Sequence, residues 1–149
     1  MLRNARKGLS LNTVSAGASI SVYLMRSCSP LLPKTISFLK EKGYIYEKDG
    51  ASFLKTTSFL DDKDRPVVKS NGLFTYFMPD ICYHYNKMSR GFDHLIDVLG
   101  ADHHGYLNRM KSALMMKGYK EDVLDFVLVQ VMPFDEQLGI KLEFKHVRI

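Results

Sequence analysis

Between His94 and Met132 the spacing of apolar positions changes twice. His94 to Leu99, HLIDVL, is a short apolar run ending at Gly100, which predicts a buried strand. Leu107, Met110, Ala113 and Leu114 then recur at intervals of three and four. That spacing predicts a helix starting near His104 and closed by Gly118 as a left-handed C-terminal residue. Val123 to Met132, VLDFVLVQVM, is rich in β-branched and apolar residues and suits a strand covered on both faces. Strand, helix and strand in about forty residues make a parallel crossover unit, so the fold class is α/β.

The chain before this unit follows a different pattern. Met1 to Pro33 shows neither sustained helical spacing nor alternation, and residues 1–35 read as a basic, poorly patterned leader. From Pro33 a short amphipathic helix is expected, carrying Ile36 and Leu39 and stopped by Gly43. Tyr44 to Phe77 reads as β-rich, with a turn at Lys48-Asp49-Gly50 and a charged, solvated turn at Asp61-Asp62-Lys63-Asp64. Asn71-Gly72 is the strongest hairpin signal, predicting a type I′ turn that returns the chain into a strand from Leu73 to Phe77. Pro79 then suits the first position of a helix, followed by Asp80, with Ile81, Tyr85 and Met88 as its apolar stripe.

Charge changes this picture little. The net charge of +5 comes from residues 1–40, which hold six Lys or Arg and no acid, leaving 15 basic against 16 acidic side chains in the rest. The remaining chain therefore has no overall basic field for nucleic acid. Cys28 and Cys82 lack metal-ligand spacing and fit a reducing compartment. No apolar run reaches the roughly 20 residues of a membrane-spanning helix. The expected location is cytoplasmic, or mitochondrial if residues 1–35 are a transit peptide.

Candidate chemistry gathers where the apolar run stops. Ligands of parallel sheets sit beyond the carboxyl ends of strands, beside helix N-termini, and Gly100-Ala101-Asp102-His103-His104-Gly105 falls at such a place. Asp102, His103 and His104 can serve as metal ligands, as an acid–base pair, or as partners for sugar and phosphate. Successive turn residues point apart, so one metal could hardly use all three, and no metal site is expected. Asp80 with Tyr76, at the end of the preceding strand, offers a carboxylate and a phenol suited to a planar cation such as a guanidinium. A helix-capping Asp beside a half-buried Tyr is the plainer alternative. Asp80 and His84 lie four apart on one helix face, as surface pairs routinely do. Asp61, Asp62 and Asp64 lack the loop pattern of a calcium site.

From about Phe38 to Phe134 the sequence resembles the catalytic domain of arginyl-tRNA synthetases. The matching blocks are FLKEKGYIYEKDGA, DDKDR followed by VVKSNG, TYFMPDICYHYNKMSRGFD, LGADHHGYLNRMKSAL with KGY, and VLVQVM. The resemblance implies part of a Rossmann-type parallel sheet of a class I synthetase, with helices and an inserted antiparallel β-hairpin region. Residues 36–134 would be the second half of that catalytic domain and 135–149 a divergent tail. The family joins arginine and ATP, with Mg2+ expected beside the nucleotide, into arginyl-adenylate and then esterifies tRNA(Arg). By resemblance Tyr76, Asp80 and His103 bind arginine, and Gly100, Asp102 and His104 border ATP.

Two family features are missing from the pattern. No stretch before Gly43 supplies the HIGH-type signature that holds ATP phosphates, and residues 133–149 hold no KMSKS-type loop. Lys87-Met88-Ser89-Arg90 imitates that loop but precedes the GADHHGY block, so it reads as coincidence. The polypeptide is expected to be inactive by itself and to need the missing parts. The alternatives are a metal-dependent phosphoesterase of the Asp-His-His type and a non-catalytic fragment.

Overall fold

The computed structural model of the chain describes residues 9–13, 30–100 and 105–129. Strand β5, His94–Gly100, is the middle of a three-stranded parallel sheet, between β1, Leu9–Thr13, and β6, Leu124–Val129. Helix α3, Tyr106–Met116, makes the crossover from β5 to β6. Leu95, Asp97 and Leu99 alternate as the buried row of β5, the period-two consequence of the pleat. The parallel strands and crossover helix expected for residues 94–129 are thus present, and Gln130–Met132 of the expected last strand lie outside the described residues.

Residues 1–35, expected to be a poorly patterned leader, contribute a strand. Leu9–Thr13 pairs in register with His94–Val98, and helix α1, Leu32–Glu41, begins inside the same stretch. Helix α1 buries Leu32, Thr35 and Leu39 and ends before Gly43, whose φ of +73° fits a residue without Cβ.

An antiparallel sheet follows, formed by β2, Ile45–Lys48, β3, Ala51–Leu54, and β4, Arg65–Val68. Its two-residue turn is Asp49-Gly50, with φ of +51° and +75°, and Lys48 pairs with Ala51 across it. Positive φ at both central residues is the type I′ signature, so that geometry occurs here and not at Asn71-Gly72. At the latter only Gly72 has positive φ, and its N–H donates to the Lys69 carbonyl at 2.9 Å. The expected strand from Leu73 to Phe77 shrinks to a single bridge, Phe74 to Val68. Thr75 then donates its N–H to the Val67 carbonyl and its hydroxyl to the Pro66 carbonyl, and the chain turns into a helix.

That helix, α2, Phe77–Ser89, starts two residues earlier than Pro79 suggested. Proline at the third position is harmless, because the first N–H groups of a helix have no partner within it. The charged turn is also less solvated than expected. Arg65 binds Asp61 through two hydrogen bonds of 2.7 and 2.8 Å, and Asp64 accepts from the Thr57 backbone, the Thr57 hydroxyl and the Tyr46 hydroxyl. Both carboxyls are held below the usual aspartate range, against the upward push of burial, by these hydrogen bonds. The three acids therefore brace their own hairpin.

One apolar cluster joins both sheets. Leu39 of α1, Leu54 of β3, Val67 of β4, Ile81 of α2, Leu95 of β5 and Leu114 of α3 are all at most 1% exposed. Ser112 of α3 accepts from the Leu60 N–H at 3.1 Å, which ties the hairpin region to the crossover helix.

Candidate functional site

Residues 80, 84 and 87 share one face of α2 at intervals of four and three, and from it His84 and Lys87 reach Asp97 of β5. Asp80 stands in the first turn, where the helix dipole favours a carboxylate. The Tyr106 hydroxyl, from the start of α3, donates to Asp80 Oδ2. The Tyr106 ring meets Phe77 and Phe126 edge-on, each with centroids 6.4 Å apart, so α2, α3 and β6 meet at the phenol that binds Asp80. Burial pushes the Asp80 carboxyl above its ordinary range, while the Tyr106 hydrogen bond and the charges of His84 and Lys87 pull it back. Burial and the adjacent carboxylate raise the Tyr106 phenol well above its usual value, so it remains a donor.

Beneath Asp80 lies a second polar group. Asp97, 2% exposed on the core row of β5, lies 2.7 Å from His84 Nε2 and accepts from Lys87 Nζ at 3.1 Å. His84 Nδ1 donates to the Asp80 carbonyl oxygen at 2.8 Å. Lys87 is completely buried and also stands 4.9 Å from the Tyr83 ring centroid. Desolvation lowers the Lys87 ammonium from its ordinary range, with Asp97 opposing the shift. A buried lysine of this kind at the end of a helix cannot work as a mobile phosphate-gripping loop, which agrees with the reading of Lys87-Met88-Ser89-Arg90 as coincidence.

The expected site residues fare unequally. Tyr76 is the cap residue just before α2, one turn before Asp80, and is 68% exposed. It does not end a strand. The Asp80 N–H donates to the Tyr76 carbonyl at 3.4 Å, and the Asp80 carboxyl is held by Tyr106. His84 meets the Asp80 backbone, its ring turned to Asp97, so the spacing of four makes no imidazole–carboxylate pair between them. Gly100 ends β5 opposite Val129, at the carboxyl edge of the parallel sheet. Asp102, His103 and His104 lie outside the described residues. Among the described residues no group of three or more His, Cys, Asp or Glu is placed to hold a metal ion.

Sequence reasoning passed over Asp97, Lys87 and Tyr106. A signal for the first was present: Asp97 is the one charged residue in the apolar run LIDVLG, in register with Leu95 and Leu99. A carboxylate on a core-facing row needs cationic partners.

A parallel sheet with crossover helix and an antiparallel hairpin insertion is an architecture shared with class I aminoacyl-tRNA synthetases. The family model described as "tRNA synthetases class I (R), catalytic domain" matches residues 4–139. The arginine–tRNA ligase of Aquifex aeolicus is 50% identical over 143 residues, covering 95% of this chain and 24% of that protein. The Listeria welshimeri arginine–tRNA ligase is 52% identical over 123 residues, covering 82% of this chain and 21% of its own length. Among solved structures, an arginyl-tRNA synthetase from Campylobacter jejuni is 42% identical with a TM-score of 0.66, over 70% of this chain and 23% of that one. The Thermus thermophilus arginyl-tRNA synthetase, at 18% identity and a TM-score of 0.60, shares the fold over 81% of this chain and 26% of its own. The chain belongs to the arginyl-tRNA synthetase family. It spans about a quarter of the length of the curated relatives it matches. Nothing in these likenesses supports the phosphoesterase alternative.

Proposed function

We propose that this chain carries the arginine-recognising part of an arginyl-tRNA synthetase active site, with the side-chain guanidinium of arginine received by Asp80. The observation that carries the reading is the half-buried Asp80 carboxyl in the first turn of α2, held by the Tyr106 hydroxyl, whose ring packs against Phe77 and Phe126. A carboxylate has about four lone-pair positions, so one phenol donor leaves room for a guanidinium. Low exposure strengthens such a charge-assisted pair, and aromatic rings suit the guanidinium plane.

Tyr76 and His103 complete the arginine contacts in this reading, and Gly100, Asp102 and His104 border the ATP ribose. The reaction served is displacement at the α-phosphate of ATP by the arginine carboxylate, followed by transfer to tRNA(Arg). Mg2+ would arrive with the nucleotide phosphates and neutralise their charge. Among the described residues no carboxylate cluster stands ready to hold such an ion independently. We place the protein in the cytoplasm. Among the described residues no helix is long and apolar enough to cross a membrane.

Calorimetric titration of the chain with arginine tests the assignment. Binding should be weakened at least tenfold by Asp80→Asn, about the loss expected for a charged hydrogen bond. Matching titration curves for the two proteins would remove Asp80 from the pocket. Citrulline, isosteric but uncharged, should bind neither.

A further inference from the structure

His84 contacts two oxygens, and the chemistry of both decides its charge. Its Nδ1 lies 2.8 Å from the Asp80 carbonyl oxygen, which only accepts. Its Nε2 lies 2.7 Å from Asp97 Oδ2. Asp97 is ionised, because the wholly buried Lys87 ammonium donates to its Oδ1 at 3.1 Å and needs an anion there. An ionised carboxylate also only accepts, so both ring nitrogens must carry hydrogens. A protonated Asp97 would instead leave the wholly buried Lys87 ammonium opposite a neutral group, at high desolvation cost.

We propose that His84 is a buried imidazolium, and that His84, Lys87 and Asp97 form a positioning cluster that keeps Asp80 ionised and oriented before arginine arrives. Two cations face one carboxylate at Asp97, so the cluster carries a net positive charge, and Asp80, one helical turn before His84, supplies the balancing anion. The hydrogen bond from Nδ1 to the Asp80 backbone fixes the first turn of α2 against β5, while Tyr106 fixes the carboxyl group from α3. The remaining aromatic neighbour, Tyr83, presents its ring edge-on to His84 at 6.1 Å and adds no formal charge. The role assigned to the cluster rests on the reading of Asp80 as the arginine carboxylate. The charge of His84 does not.

The test is side-chain NMR of the chain labelled at histidine nitrogen and aspartate carboxyl carbon. At neutral pH both His84 nitrogens should show the protonated, imidazolium pattern, and a neutral ring would overturn the proposal. In folded His84→Gln the Asp80 carboxyl carbon should move toward its protonated position, since one cation has gone. An unmoved Asp80 signal would reduce His84 to packing and overturn the positioning role. If His84→Gln does not fold, the wild-type nitrogen spectrum decides by itself. A wild type that binds no arginine would overturn the guanidinium reading, and the nitrogen pattern would still judge the cluster separately.

Discussion

Position 97 shows how much one side chain can carry. Its carboxylate sits where the pleat of β5 would otherwise place a third aliphatic group between Leu95 and Leu99, and it holds α2 through His84 and Lys87. Removing one member of a buried ion pair strands the others without water, which typically costs about 3–5 kcal/mol. Asp97→Ala should therefore lower unfolding free energy by about that amount in urea titrations, far more than alanine at an exposed acid such as Asp122. The pH dependence has a definite sign. Asp97 and Asp61 are both held below the ordinary aspartate value of about 3.9, so their stabilisation is complete above it. It is lost as pH falls through their lower folded values, and acid unfolding followed by circular dichroism should shift toward neutral pH in Asp97→Ala. The candidate site was half visible at this scale. Tyr76 and Asp80 could be chosen for their chemistry, but Tyr106 could not, because it lies 26 residues after its partner Asp80.

Elements were legible to the extent that their own residues fix them. The spacing of Met110, Ala113 and Leu114 and the stop at Gly118, φ +94°, specified α3, because helical hydrogen bonds close within the segment. Hairpins were legible as turns but not as geometries. Asp49-Gly50 adopts left-handed φ at both positions, whereas Asn71-Gly72 does so only at the glycine. The difference arises after the turn, where Thr75 binds back to β4 and Phe77 begins α2 before a second strand can pair. Gly50→Ala follows from this geometry: its Cβ would meet only Ser70 at an ordinary 3.7 Å, so the penalty is conformational. A cost of about 1 kcal/mol is expected from the left-handed backbone, read as a lower thermal midpoint.

Across the whole molecule, catalysis by this polypeptide alone is expected to fail. Its 149 residues show neither phosphate-gripping signature. Positioning and charge stabilisation at the α-phosphate are large terms in such a reaction. An aminoacylation assay with arginine, ATP and tRNA(Arg) should give no charging above background, and robust charging would contradict this. The sequence by itself determined the strand–helix–strand unit of residues 94–129, the helix after Pro33 and the chemistry available at Asp80, because periodicity and residue type act within a short window. Tertiary structure alone decided that LSLNT becomes β1, that Asp97 gathers His84 and Lys87, and that Tyr106 reaches Asp80. A strand draws its hydrogen bonds from a neighbouring backbone, and a buried charge draws its partners from other elements. Those partners lie tens of residues away along the chain, beyond the reach of any local pattern.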